Sequence, residues 1–186
     1  MRLMVKFLAL ALAAQLGACA PPNYRSELLD AQAHAPYTLA SGDRLRVIVF
    51  GQDSLSNSYS VDGSGNIAMP LIGSVRAVGQ STQALERGIE ARLKEGFLRE
   101  PRVAVEVEAF RPFFIIGEVT TAGQYPFVNG MSVQNAIAIA GGYTPRGWNK
   151  GADITRVIDG QSVTGTVPLS YLLRPGDTVT VRERFL

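Results

Sequence analysis

Cysteine and histidine are almost missing from this chain, one of each in 186 residues. A single cysteine excludes an internal disulfide framework and any thiolate zinc cluster. A single histidine, His34, argues against His-based metal sites and against histidine acid–base catalysis. Lysine is scarce as well: beyond residue 18, Arg outnumbers Lys by 14 to 2. No basic run occurs, so the electrostatic footprint of a nucleic-acid binder is absent. The formal net charge of +2 rests on Arg2 and Lys6; setting them aside leaves as many bases as the 16 acids. No run is apolar for the roughly 20 residues that a bilayer-spanning helix needs. G-x-G-x-x-G, the Walker loop, S-x-x-K and G-x-S-x-G are all missing. What is present, 46% hydrophobic and 18% charged residues, suffices to build a core of one ordinary domain or two small ones.

The amino terminus reads as an address. Arg2 and Lys6 precede an apolar run of ten residues, Phe7 to Leu16, with the length and flanks of a secretory leader. Leu16-Gly17-Ala18-Cys19 resembles the bacterial lipobox, which implies a signal peptide over 1–18 and lipid attachment at Cys19. An ordinary leader with a stray cysteine is the plainer alternative. Ala20 rather than Asp after the cysteine resembles the sorting signal for the outer membrane, and several acyl chains anchor durably. Residues 19–36 are small, polar and proline-bearing at their start; they read as the lipidated terminus and a tether, with His34 a solvated linker residue.

The rest divides into two small α+β units, over 37–110 and 111–186. Leu45, Val47 and Val49 alternate as in a half-buried strand. Asp62-Gly-Ser-Gly-Asn66 reads as a hairpin turn between two short strands, and Val75–Val78 as a further short strand. Ser81 or Thr82 caps a helix to about Glu95, with Leu85, Ile89 and Leu93 on one stripe, Glu90 and Lys94 an exposed pair, and Gly96 a stop. Val103, Val105 and Val107 mark the clearest strand. In the second unit, Phe113–Val119 and Gly123–Phe127 read as paired strands. Ser132 caps a short helix that Gly141-Gly142 ends, and Asp159-Gly160 turns a hairpin of 153–158 with 162–167. A strand from Asp177 closes the unit in a β-grasp order.

Leu39-x-x-Gly42-Asp43 and Leu173-x-x-Gly176-Asp177 repeat one pattern ahead of an alternating strand, read as a reused turn and not as a duplicated domain. Gly42, Asp43, Gly65, Gly117, Gly141, Gly142, Gly176 and Asp177 are assigned to fold-determining turns. The loop at Asp62 lacks the glycine and terminal glutamate of a calcium loop. Glu106 and Glu108 share a strand face, as a carboxylate pair or as solvated surface. Arg-rich usage suits interfaces and acidic ligands, or is plain surface composition.

Taken in order, Tyr37-x-Leu39-x-x-Gly42-Asp43-x-Leu45-x-Val47-x-Val49-Phe50-Gly51, Val61-Asp62-x-x-Gly65-x-Ile67-x-x-Pro70-Leu71-Ile72-Gly73 and Pro101-x-Val103-x-Val105 resemble the polysaccharide export domain of bacterial capsule and exopolysaccharide exporters. Gly117-Glu118-Val119, Gly123-x-Tyr125-Pro126 and Ala140-Gly141-Gly142 resemble the SLBB β-grasp domain. The resemblance implies an outer-membrane lipoprotein on the periplasmic face that is not an enzyme and uses no cofactor. It implies a homo-oligomeric ring that passes polysaccharide and works with an inner-membrane polysaccharide copolymerase. Long members carry two SLBB domains and a carboxy-terminal pore helix. This sequence has one such domain and stops at Phe185-Leu186, so the expectation is a periplasmic ring served by a separate outer-membrane β-barrel. The alternatives are a saccharide- or peptidoglycan-binding lipoprotein without a conduit role and, more remotely, a carbohydrate-active enzyme built on two carboxylates.

Overall fold

The structure is a computed structural model, and it describes residues 24–184. The leader over 1–18 and Cys19 lie outside the described residues. The chain folds as a mixed α+β protein around two hydrophobic cores, one per unit.

In the first unit, β1 (Arg44–Val49) is the centre of a three-stranded antiparallel sheet, with β2 (Asn57–Ser60) on one side and β5 (Val103–Ala109) on the other. A 3-10 turn, Asp53–Leu55, joins β1 to β2. Leu45, Val47 and Val49 bury on one face while Arg44 and Arg46 point to solvent, as the alternation requires. β3 (Asn66–Met69) and β4 (Gly73–Arg76) form a separate hairpin whose turn is Pro70–Ile72. The Asp62–Asn66 segment is therefore not a hairpin turn: β2 and β3 belong to different sheets. Its compactness is local, because Asp62 Oδ1 accepts from the backbone N–H of Ser64 (2.8 Å) and of Asn66 (2.9 Å).

Helix α2 (Thr82–Lys94), numbered after a first helix described below, is capped by Ser81, whose hydroxyl accepts from the Ala84 N–H. Leu85, Ile89 and Leu93 are fully buried. Glu90 does not pair with Lys94. Its carboxylate accepts from the Val103 N–H at 2.9 Å, and Glu86 accepts from the Val105 N–H at the same distance. Four residues apart on one helix face, the two glutamates satisfy alternate donors along the outer edge of β5 and close that edge to other strands.

The second unit is a five-stranded mixed sheet in the order β7-β6-β10-β8-β9, built from β6 (Phe113–Gly117), β7 (Gly123–Tyr125), β8 (Ala152–Ile158), β9 (Gln161–Val167) and β10 (Thr178–Val181). Parallel pairing of β10 with β6 places the last strand at the centre. Helix α3 (Val133–Ile139) carries a capping box between Ser132 and Asn135 and buries Val133, Ala136 and Ile137 on one sheet face. Asp159 and Gly160, both at positive φ, turn the β8–β9 hairpin.

Residues 24–33, within the segment read as a tether, form helix α1 (Tyr24–Ala33). Leu29 from this helix is fully buried in the core of the second unit. The sequence offered no apolar stripe to announce it, because the helix is held by one leucine and by its own carbonyls.

Gly117 tests the β-grasp crossover. Its φ is +89°, and a Cβ there would lie 2.1 Å from the Val181 carbonyl oxygen of the paired strand β10. Gly117→Ala is expected to lose at least about 2 kcal/mol in urea unfolding, the left-handed cost plus displacement of β10. Gly88→Ala, in the interior of α2 with open space at its Cβ, is expected to gain about 0.5–1 kcal/mol.

Candidate functional site

The two Gly-Asp turns meet at the joint of the units, and each buries its aspartate completely. Gly42 and Gly176 take φ of +93° and +85°. In each turn the aspartate N–H donates to the carbonyl three residues back, and its carboxylate accepts from the N–H of that same residue. Asp43 Oδ2 receives Ala40 N–H at 2.8 Å, and Asp177 Oδ2 receives Arg174 N–H at 2.8 Å. Each carboxylate then faces an arginine. Arg111 donates its backbone N–H to Asp43 Oδ1 at 3.0 Å and places its guanidinium 3.8 Å away. Arg156 forms a two-pronged pair with Asp177 at 2.8 and 2.7 Å.

A tyrosine completes each set, six residues before the aspartate in both cases. Tyr37 donates to Asp43 Oδ2 at 2.5 Å and accepts from Arg111 at 3.2 Å. Tyr171 accepts from Arg156 at 3.2 Å and donates to the Leu29 carbonyl at 2.6 Å. The repeat therefore runs Tyr-x-Leu-x-x-Gly-Asp, two residues longer on its amino side than Leu-x-x-Gly-Asp. The two arginines have no such marker, since neither lies in the repeat.

The second set also holds α1. Arg156 donates to the Leu29 carbonyl at 3.3 Å, and Arg174 donates to the carbonyls of Gln32, Ala35 (2.8 Å) and Pro36 (3.2 Å). The carbonyls that Arg174 meets lie at and beyond the helix carboxy terminus, the end whose partial negative charge attracts cations. Arg111 lies between the turns, its Nε 2.6 Å from where a Cβ on Gly176 would sit. Tyr37, Phe110 and Phe127 stack edge to face across the joint at 5.0 and 5.5 Å. A cavity of about 260 Å³ opens beside them, bordered by Ala33, Asn129, Leu172 and Arg174.

Burial would lower the Arg156 guanidinium, but the Asp177 carboxylate against it, helped by Tyr171, raises it overall. Arg174 is lowered, by burial first and by neighbouring Arg156 second. Tyr37 is raised well above its ordinary 10.0 by burial and by its bond to Asp43. The groups here bind one another.

The other assigned turn positions lie elsewhere. Gly65 sits in the Asp62 loop against Val78, Gly117 at the end of β6, and Gly141 and Gly142 after α3, where the Gly142 N–H returns to the Ile137 carbonyl. Glu106 and Glu108 are exposed, and Glu108 pairs with Arg44 at 3.1 Å. Among the described residues, no group of three His, Cys, Asp or Glu side chains is placed to hold a metal ion.

Arg156→Met is expected to lower stability by about 3–5 kcal/mol in urea unfolding, because Asp177 stays buried without its partner. Arg44→Met, at an exposed pair, is expected to change it by less than about 1 kcal/mol. Alkaline stability follows from the tyrosines. The folded state keeps Tyr37 protonated while the unfolded chain ionises it near pH 10, so stability falls as pH rises above about 10. Tyr59, Tyr143 and Tyr171, all raised by burial, act in the same direction. Unfolding curves from pH 9 to 11 are expected to show a shallower decline in Tyr37→Phe.

Residues 31–108 match the family model described as polysaccharide biosynthesis/export protein, and residues 112–167 match the SLBB domain. The chain is 30% identical over 153 residues to the exopolysaccharide production protein ExoF of Rhizobium meliloti, covering 76% of this chain and 34% of that protein. It is 28% identical over 161 residues to the polysialic acid transport protein KpsD of Escherichia coli, covering 80% and 28%. It is 27% identical over 185 residues to the EPS I polysaccharide export outer membrane protein EpsA of Ralstonia nicotianae, covering 80% and 48%. The chain spans less than half the length of each of these relatives.

Proposed function

Because the chain belongs to the polysaccharide biosynthesis/export family, with an export domain followed by an SLBB domain, we propose that it is a non-enzymatic component of a capsule or exopolysaccharide export channel. It is held at the periplasmic face of the outer membrane by lipid on Cys19. Copies close into a homo-oligomeric ring that receives polysaccharide, in concert with an inner-membrane copolymerase, and passes it to a separate outer-membrane β-barrel. The observation that carries the reading is the order of the two matched domains along one chain whose relatives are named for polysaccharide production, transport and export.

The joint supports the same reading. A ring subunit has to hold its contact surfaces at a fixed angle, and the Asp43–Arg111 contacts, the aromatic stack and the docked α1 all brace one unit against the other. No helix among the described residues is long and apolar enough to cross a membrane. The cavity at the joint favours a second reading, a saccharide- or peptidoglycan-binding lipoprotein. Oligomeric state separates the two, since only the conduit requires a closed ring.

The test is a deletion of the gene, with polysaccharide measured at the cell surface, in the medium and in the periplasm. The expected outcome is loss outside the cell with normal synthesis of the lipid-linked precursor, and the same loss in Cys19→Ser. Unchanged surface and secreted polysaccharide in the deletion overturns the export reading.

A further inference from the structure

Among the described residues, the sheet of the second unit is covered by helices on one face only. Helices α1 and α3 pack against the face that carries Ile115, Ile154, Arg156 and Val179. The opposite face carries the alternate residues, and pairing across five strands brings them into register. One row runs Gln124, Phe114, Thr178, Thr155, Thr164; the next runs Ile116, Thr180, Asp153, Thr166. Strands about 4.8 Å apart and side chains about 6.7 Å apart along each strand make this a regular grid of hydroxyls.

Three properties of the grid point to its occupant. First, its hydroxyls are half-buried or exposed and partly uncommitted. Thr155 and Thr164 bond each other at 2.8 Å, but the central Thr178 and Thr180 hydroxyls have no partner among the described residues. Second, its charges cancel. Arg182 grips Asp153 with two bonds of 2.6 Å and also donates to Thr166, so no free ion holds a charged group in one place. Third, Phe114 and Ile116, 42% and 46% exposed, form an apolar floor beside the hydroxyls.

A dry protein partner fits this face poorly. Each hydroxyl it buried would need its own hydrogen-bond partner, and threonine is under-represented among the residues that anchor protein interfaces. A polyol chain supplies donors and acceptors at every hydroxyl and apolar C–H faces for Phe114 and Ile116. Each contact is weak, so the chain can advance from one register to the next. Resting on the export reading above, we propose that the open face of the β7-β6-β10-β8-β9 sheet is the surface along which the exported polysaccharide moves, through contacts to the Thr155, Thr164, Thr178 and Thr180 hydroxyls.

The test uses the full chain in its producing strain. Thr178→Val with Thr180→Val removes two free hydroxyls, keeps side-chain shape and strand preference, and breaks no bond within the chain. Thr178→Ser with Thr180→Ser keeps the hydroxyls. The expected result is a fall in secreted polysaccharide of at least about threefold for the valine pair, with unchanged abundance, melting temperature and oligomeric state, and near-normal export for the serine pair. The purified chain, titrated with oligosaccharides prepared by partial acid hydrolysis of the strain's own secreted polysaccharide, is expected to show threonine-methyl NMR shifts at these positions.

Normal export by the valine pair, where deletion abolishes export, overturns the proposal and leaves the export reading standing. Equal loss in both pairs assigns the effect to packing and overturns the proposal. Altered oligomeric state in the valine pair makes the face a subunit contact and overturns it too. Normal export in the deletion itself removes the export reading, and this proposal with it.

Discussion

The buried pair of Arg156 and Asp177 is the interaction on which the second unit depends. Neither charge is tolerable alone beneath a sheet, where removal from water costs several kcal/mol per ion. Together they engage all three guanidinium nitrogens and both carboxylate oxygens: two guanidinium prongs on the carboxylate, a backbone N–H on one of its oxygens, and the remaining guanidinium nitrogen on Tyr171 and the Leu29 carbonyl. The pair therefore fixes three things at once. It sets the turn into β10, ties β8 to that turn, and gives α1 a docking place. Hydrophobic residues of equal volume would fill the space as well, but would not tell α1 where along the sheet to stop.

The same turn in the first unit is used differently. Asp43 is as deeply buried as Asp177, but its arginine comes from the linker between the units and stays about a third exposed. The backbone bond from Arg111, not its guanidinium, makes the closer contact. One Gly-Asp turn thus stabilises a unit internally, while the other binds the joint. Arg111 also packs against Gly176, so each turn is within reach of the same side chain, and a change in the angle between the units disturbs both.

Much of this fold was legible in the sequence, and the legible parts share a cause. Strand β1, strand β5, helix α2 and the Asp159-Gly160 hairpin follow from short-range rules: alternation, a cap, a stripe of leucine and isoleucine, a pair of residues that accept positive φ. The repeat at Leu39 and Leu173 was visible for the same reason. What stayed hidden depends on partners far apart in the chain. Arg156 meets Leu29 across 127 residues, and α1 buries a single leucine, so no periodicity announced either. The Asp62 loop misled because a turn signal says that the chain reverses locally, not which strands then pair; β2 and β3 leave it for different sheets. Glu90 misled because spacing to Lys94 is equally satisfied by a helix facing water and by one lying along an unpaired strand edge. The tyrosines of the joint were the one signal within reach, standing at equal distance before both aspartates.

The distribution of polar groups between the two sheet faces follows from what covers them. On the covered face, the Arg156–Asp177 pair is charged, bonded and buried, which holds one arrangement rigidly. On the open face the groups are small hydroxyls and one ion pair that closes on itself, which hold nothing rigidly. Had the open face existed only to meet water, lysine and glutamate would serve as well, yet two of its three inner strands, β10 and β8, present threonine at Thr155, Thr178 and Thr180 and no lysine. Had it existed to seat a fixed protein partner, large anchors would stand at its centre; the exposed apolar residues Phe114 and Ile116 on β6 and Val157 on β8 lie instead on the two strands that flank the threonines of β10. A face with hydroxyls at its centre, apolar side chains on the flanking strands and its ions paired makes many equivalent weak contacts. That combination suits a ligand that has to be held near the wall and released along it.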